Sequence, residues 1–186
     1  MTEAHIKSAK SVKPYLTRLY KSAKEIDALT VLGKPFGIPD LLGYLGYPKD
    51  IVEDGFLLKW QNRDFDYVES TLGNALGVAE GLAISNPDKM VWCFISDAQL
   101  FMGPTLEAIL SIGAKKLSNI WLCIDYNKRG SKSKLPEFNF EGIFWNWNLR
   151  YLDVNDLWYN PEIGDLPKVW VFNSFRLFES NEQFQK

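Results

Sequence analysis

Two short polar sequences stand where chemistry can be done. Ser96-Asp97-Ala98 follows the continuous apolar run Met90–Ile95, and Asp125-Tyr126-Asn127 follows Ile120–Ile124. Continuous apolar runs of that length mark strands buried on both faces, as in parallel sheets. Ligands of open α/β sheets bind beyond the carboxyl ends of such strands. Asp97 and Asn127, 30 positions apart, can therefore offer two oxygens to one hard cation from neighbouring strand ends. Mg²⁺ usually takes only one or two carboxylates and completes its octahedron with backbone carbonyls, water and the phosphates of a ligand. Ser96 and Ala98 are small enough to let a phosphate approach the main chain. The plain alternative is a strand-end Asp that caps a nearby amide and an Asn in a turn.

The elements that must position these residues follow from the pattern around them. A helical stretch runs from Leu72 to Ile84, a turn falls at Asn86-Pro87-Asp88, and the first buried strand follows. Ser96–Gly103 reads as a loop, and Pro104 opens a second helix to about Lys116, with Leu106, Ile109, Leu110 and Ile112 on its apolar side. After the second strand comes a polar loop, Lys128–Lys134, then an aromatic helical patch, Phe138–Trp147, and candidate strands Leu149–Val154 and Val169–Asn173. Upstream, Lys7, Lys10, Lys13, Arg18, Lys21 and Lys24 surround Leu16, Leu19, Tyr20, Ala23 and Ile26 at helical spacing, which reads as a solvated basic helix. Gly33, Pro35, Gly37 and Pro39 then form a loop before a short helix, Asp40–Leu45, and the stretch to Glu69 is irregular apart from Phe56-Leu57-Leu58. Strands alternating with helices predict an α/β three-layer sandwich, a mostly parallel sheet with helices on both faces. The expected organisation is one domain over 1–186, with a basic helical segment at 1–26 and a C-terminal tail at 177–186.

Composition narrows the partners. The chain has 186 residues, enough for one sizeable core, with 46% apolar residues and 15% aromatic. Its 21 Lys+Arg and 23 Asp+Glu give a net charge of −2, without the basic field that carries non-specific nucleic-acid binding. No apolar run approaches the roughly 20 residues of a membrane span, and no signal-like stretch follows Met1, so a cytoplasmic protein without nucleic-acid or membrane partners is expected. Cys93 and Cys123 lie in strand-like runs, fitting reduced, buried thiols. His5 is the single histidine, in a polar N-terminal stretch, which excludes a core histidine as general base or metal ligand.

The segments Ser70–Ala83, Ser96–Gly103, Glu107-Ala108 and Lys116–Asn127 resemble the diphosphate-binding module of transketolases. In that family a Gly-Asp-Gly triplet closes one strand and an Asn closes the next. The Asp, the Asn and a carbonyl two residues further on hold Mg²⁺ on the diphosphate of thiamine diphosphate. The resemblance implies Asp97, Asn127 and the main-chain oxygen of Arg129 as metal ligands. It implies a cofactor-binding set of Ser70, Leu72, Ser96, Asp97, Ala98, Gln99 and Asn127, with Ser70 and Leu72 in the loop that touches the thiazolium. Looser likeness extends over about residues 27–176, through Gly33-Lys34-Pro35, Phe56-Leu57-Leu58-Lys59, Phe144–Asp156 and Lys168–Phe172.

The departures bear on activity. Family histidines around the thiazolium and the sugar substrate fall on Lys34, Gln61 and Asn74, none of which shuttles protons near neutral pH as imidazole does. An expected acidic residue falls on Met102, and Ser96 and Ala98 replace both glycines of the triplet. No catalytic residue is assigned. The glutamate that activates the cofactor belongs, in the family, to a separate pyrimidine-binding domain facing across a dimer interface, and nothing in this chain corresponds to it. The resemblance thus implies half of a ketol-transferring or 2-oxo acid enzyme, completed by a pyrimidine-domain chain in a homo- or hetero-oligomer. The alternative is a non-catalytic homologue serving as a structural or interaction module. Gly73, Gly77 and Gly81 recur every fourth residue, spacing that suits close packing against the sheet or a partner chain. Lys128, Arg129, Lys132 and Lys134 either steer an anionic substrate or form a solvated loop. The aromatics of Phe138–Trp147, with Trp158, Tyr159 and Trp170, read as core or interface.

Overall fold

The apolar runs that announce buried strands form the centre of a parallel sheet. A computed structural model describes residues 21–33, 65–69, 71–126, 128, 134–153 and 164–173. Within them lie β1 (Leu29–Gly33), β2 (Tyr67–Glu69), α1 (Ala75–Ser85), β3 (Val91–Ser96), α2 (Gly103–Lys115), β4 (Ile120–Tyr126), α3 (Phe140–Ile143), β5 (Asn148–Asp153) and β6 (Lys168–Asn173). Six described strands form one sheet in the order β2-β1-β3-β4-β6-β5, and every pairing is parallel. Each residue of β3 and β4 is buried, as expected of central strands covered on both faces.

Alternation along the strands divides the buried side chains between two faces. Val31, Cys93, Leu122 and Val169 share one core with Leu76, Ala79 and Ala83 of α1 and Ile109 and Ile112 of α2. The alternate positions carry rings: Trp92 and Trp121 are paired in register with centroids 4.6 Å apart, and Trp170 lies 5.1 Å from Trp121. Tilted and edge-on contacts of this kind add about 0.5–1.5 kcal/mol per pair beyond area burial. Trp170 is therefore core, as expected.

Local chemistry ends the helices. Asn86 closes α1, its backbone N–H and its Nδ2 both donating to Leu82 O, before Pro87. At the end of α2, Lys116 adopts φ 51°, and the N–H of Leu117 donates to Ile112 O, a Schellman-type closure without glycine.

Several elements differ from expectation. The upstream basic helix is seen over 21–25 and stops at Asp27, with φ 52°, after which β1 begins. β1 and the three-residue β2 escape the hydrophobic pattern because each is short and Thr30 interrupts β1. Thr30 is nonetheless fully buried, since its N–H and Oγ1 both donate to Asp66 Oδ2, at 2.7 and 2.8 Å. The loop expected after β3 is a 3₁₀ turn, Asp97–Phe101. The aromatic patch contains only one helical turn, α3, capped by Asn139, whose Oδ1 accepts from Gly142 N–H. Phe140, Phe144 and Trp147 are held there by packing, with Trp147 Nε1 donating to Ile109 O at 3.0 Å. Trp145 is 69% exposed and lies outside the core. The expected elements at Asp40–Leu45 and Phe56-Leu57-Leu58, and the terminal segments 1–20 and 174–186, lie outside the described residues, as do Trp158 and Tyr159.

Candidate functional site

Register brings the chemistry to one edge of the sheet. Gly33 is level with Glu69, and Ser96 with Asp125, so the carboxyl ends of β1, β2, β3 and β4 lie together. Strand order reverses between β1 and β3, the switch point where open α/β sheets leave a crevice.

Asp97 is the first residue beyond β3 and is fully buried. A carboxylate taken out of water needs donors or a cation around it. One donor is the backbone N–H of Lys128, 2.5 Å from Asp97 Oδ2. Lys128 adopts φ 57°, and its carbonyl accepts from Leu135 N–H at 2.9 Å, so both of its peptide groups are fixed. Its ammonium pairs with Glu137 at 3.1 Å and lies 5.7 Å from the centre of the Tyr126 ring. This lysine is thus engaged locally, while Arg129 and Lys132 of the same loop lie outside the described residues. Burial raises the Tyr126 phenol above its ordinary range, outweighing the nearby lysine, so it is neutral at neutral pH.

The residues replacing glycine next to Asp97 cost no backbone strain. Ser96 has φ −92°, and Ala98 is not among the described residues with positive φ. Ser96 is buried and Ala98 half-buried, leaving small side chains beside the carboxylate. Gln99 is fully buried. Its Oε1 accepts from Gly73 N–H at 3.3 Å, while its Nε2 makes no hydrogen bond among the described residues. A buried donor left this way costs about 1–3 kcal/mol, and such atoms mark strain or a ligand group.

Of the expected site residues, Ser96, Asp97, Ala98 and Gln99 follow one another at the end of β3, and Leu72 precedes Gly73, whose N–H reaches Gln99. Ser70, Asn127 and Arg129 lie outside the described residues, as do Lys34 and Gln61. Among the described residues no three His, Cys, Asp or Glu side chains cluster to hold a metal. The chemistry of the expected donor set, one carboxylate with an amide and a carbonyl, suits Mg²⁺ shared with phosphates rather than an all-protein cage. The buried Asp97 and the unsatisfied Gln99 donor fit such a group.

The structure removes the sheet as the packing partner expected for Gly77 and Gly81. Gly73 precedes α1, with φ +95°, while Gly77 and Gly81 are exposed and face open space rather than the sheet. Thr105, unremarked in the sequence, belongs to the site's support: its Oγ1 donates to Gly73 O at 2.9 Å. Its place one residue past the helix-opening Pro104 is the only sequence signal for it.

The fold is that of known transketolases. The enzyme of Campylobacter jejuni superimposes with a TM-score of 0.60 at 17% identity, over 78% of this chain and 28% of that one. The Leishmania mexicana transketolase gives 0.59 at 16%, over 82% and 29%. In sequence, the chain is 42% identical over 62 residues to the 1-deoxy-D-xylulose-5-phosphate synthase of Fusobacterium nucleatum, covering 33% of this chain and 10% of that protein. It is 31% identical over 97 residues to an uncharacterized transketolase family protein of Sinorhizobium fredii, covering 47% and 35%. The chain is thus similar to transketolases in fold and, over part of its length, to a 1-deoxy-D-xylulose-5-phosphate synthase and a transketolase family protein in sequence. No protein-family profile matches it. The chain spans about a third or less of the length of these relatives. Besides Ser96 and Ala98, two departures from the family pattern fall on described residues. Asn74 is exposed just before α1 and makes no side-chain cap, and Met102 stands at the start of α2 against Gly73. Among the described residues no helix is long and apolar enough to cross a membrane.

Proposed function

We propose that this chain is a transketolase-like subunit that holds the diphosphate of thiamine diphosphate through Mg²⁺ at the crevice beyond β1, β3 and β4. In this reading Asp97, Asn127 and the Arg129 carbonyl ligate the metal. Ser96, Ala98 and Gln99 line the diphosphate, and Ser70 and Leu72 meet the thiazolium. The observation that carries it is the fully buried Asp97 carboxylate at the switch-point strand end, bonded to the backbone of the residue between the two other expected ligands. When bound, the cofactor supplies a carbanion for ketol transfer or a related 2-oxo acid reaction. The chain's own residues bind and orient it. The group that activates the cofactor comes from a pyrimidine-binding domain on another chain, in a cytoplasmic homo- or hetero-oligomer.

Met102 supports a second reading, a non-catalytic module. A thioether packed on Gly73 has no acid–base capacity where the family pattern places a carboxylate. Purification of the chain with whatever binds it, followed by a ketol-transfer assay with thiamine diphosphate and Mg²⁺, separates the two. Turnover by the complex that is lost in Asp97→Ala supports the enzyme subunit. A complex that binds cofactor without turnover supports the module.

A further inference from the structure

The four residues before α1 are held more tightly than an exposed loop requires. Thr71 N–H donates to Glu69 Oε1 at 2.7 Å, and Asn74 N–H to Thr71 O at 3.4 Å. Between them the Gly73 peptide is gripped from both sides by buried groups. Its N–H donates to Gln99 Oε1, and its carbonyl accepts from Thr105 Oγ1. Gln99 and Thr105 are 0% and 1% exposed and come from the turn after β3 and from the first turn of α2. Gly73 itself must be glycine here: its φ is +95°, and a Cβ would stand 2.7 Å from Met102 Cβ.

The Gln99 amide pays for this grip. With Oε1 turned to Gly73, its Nε2 lies buried without a hydrogen bond among the described residues, in space that exists because residue 33 is glycine: a Cβ there would approach Nε2 to 2.6 Å. Leu72 gains no burial from the arrangement, since it remains 47% exposed. A single exposed leucine is ordinary. Here the exposed leucine adjoins a peptide that two buried side chains hold in place.

We propose that Gln99 and Thr105 are positioning residues that clamp the Gly73 peptide and so present Leu72 as a fixed apolar prop for the ring of a bound thiamine cofactor. This rests on the cofactor site proposed above. The Thr105 half of the clamp acts through backbone, so loss of its hydroxyl loosens the prop without removing any group that the proposed site places on the diphosphate or the metal.

The test is a tryptophan-fluorescence titration of the full chain with thiamine diphosphate in the presence of Mg²⁺, alongside hydrogen exchange of the ligand-free protein. Thr105→Val, which keeps shape and removes the donor, is expected to weaken binding about tenfold and to speed exchange at the Gly73 amide. Thr105→Ser restores both. Thr30→Val is the control. It breaks a comparable buried hydroxyl contact, to Asp66, and should lower Tm while leaving affinity unchanged. Wild-type affinity in Thr105→Val overturns the clamp and leaves the cofactor site standing. Absence of binding by the wild-type chain overturns the site and the clamp together, and a fall in affinity with Thr30→Val equal to that with Thr105→Val reduces the clamp to general stability.

Discussion

Replacing Gly73 by alanine adds one carbon where neither the backbone nor the neighbours accept it. The backbone has φ +95°, a region that costs a non-glycine residue about 1–2 kcal/mol. The new carbon would lie 2.7 Å from Met102 Cβ, and overpacking of this kind costs about 1–3 kcal/mol. Together these give about 2–5 kcal/mol, a large part of the roughly 5–15 kcal/mol by which a domain is stable. At about 2–4 °C per kcal/mol for a chain of this length, thermal unfolding followed by circular dichroism should show Tm lowered by about 4–20 °C. The contact partner is a Cβ, so Met102→Ala does not relieve it, whereas Met102→Gly does. The double variant Gly73→Ala/Met102→Gly should therefore recover about 1–3 kcal/mol relative to additivity, leaving the backbone cost in place. A Gly73→Ala Tm within about 1 °C of wild type, or no coupling with Met102→Gly, refutes the geometry assigned to this loop.

Gly33→Ala places a Cβ 2.6 Å from Gln99 Nε2 and 3.0 Å from Ala75 Cβ, and denaturant unfolding should show a loss of about 1–3 kcal/mol that Gln99→Ala partly restores. Burial tends to raise the Asp66 carboxyl, but hydrogen bonds from the Thr30 backbone and hydroxyl, with the Lys24 charge, outweigh it and hold the group below its ordinary value of 3.8. Its contribution to stability is therefore complete above that value and is lost as pH falls through the lower folded-state value. Asp66→Asn should flatten this part of the acid limb in a Tm-against-pH series. Cys93 and Cys123 are buried, and burial pushes both thiols well above their ordinary range. The native protein should leave both unlabelled by a thiol reagent that modifies them in denaturant, and rapid native labelling would contradict the core placement.

The sheet's centre was legible in the sequence because Met90–Ile95 and Ile120–Ile124 are unbroken apolar runs, a pattern that burial on both faces imposes. The place of Asp97 just beyond a central strand was legible as well, because the apolar run stops there. β1 and β2 were not legible: a five-residue strand containing Thr30 acquires its stability from Asp66, far away in sequence, and a three-residue strand carries too little periodicity to register. The aromatic patch misled in the opposite direction, because rings at Phe140, Phe144 and Trp147 are fixed by mutual packing and by Ile109 rather than by helix formation. Thr105 and the grip on Gly73 depend on contacts 26 and 32 residues apart, which no local spacing encodes.

The central claim is a metal-dependent diphosphate site built around Asp97. Calorimetric titration of the full chain with thiamine diphosphate tests it most directly. Heat of binding is expected only when Mg²⁺ is present, and none in Asp97→Ala, whose folding is checked by circular dichroism. Equal heat without Mg²⁺, unchanged binding by a folded Asp97→Ala chain, or no heat even with a co-purified partner contradicts it.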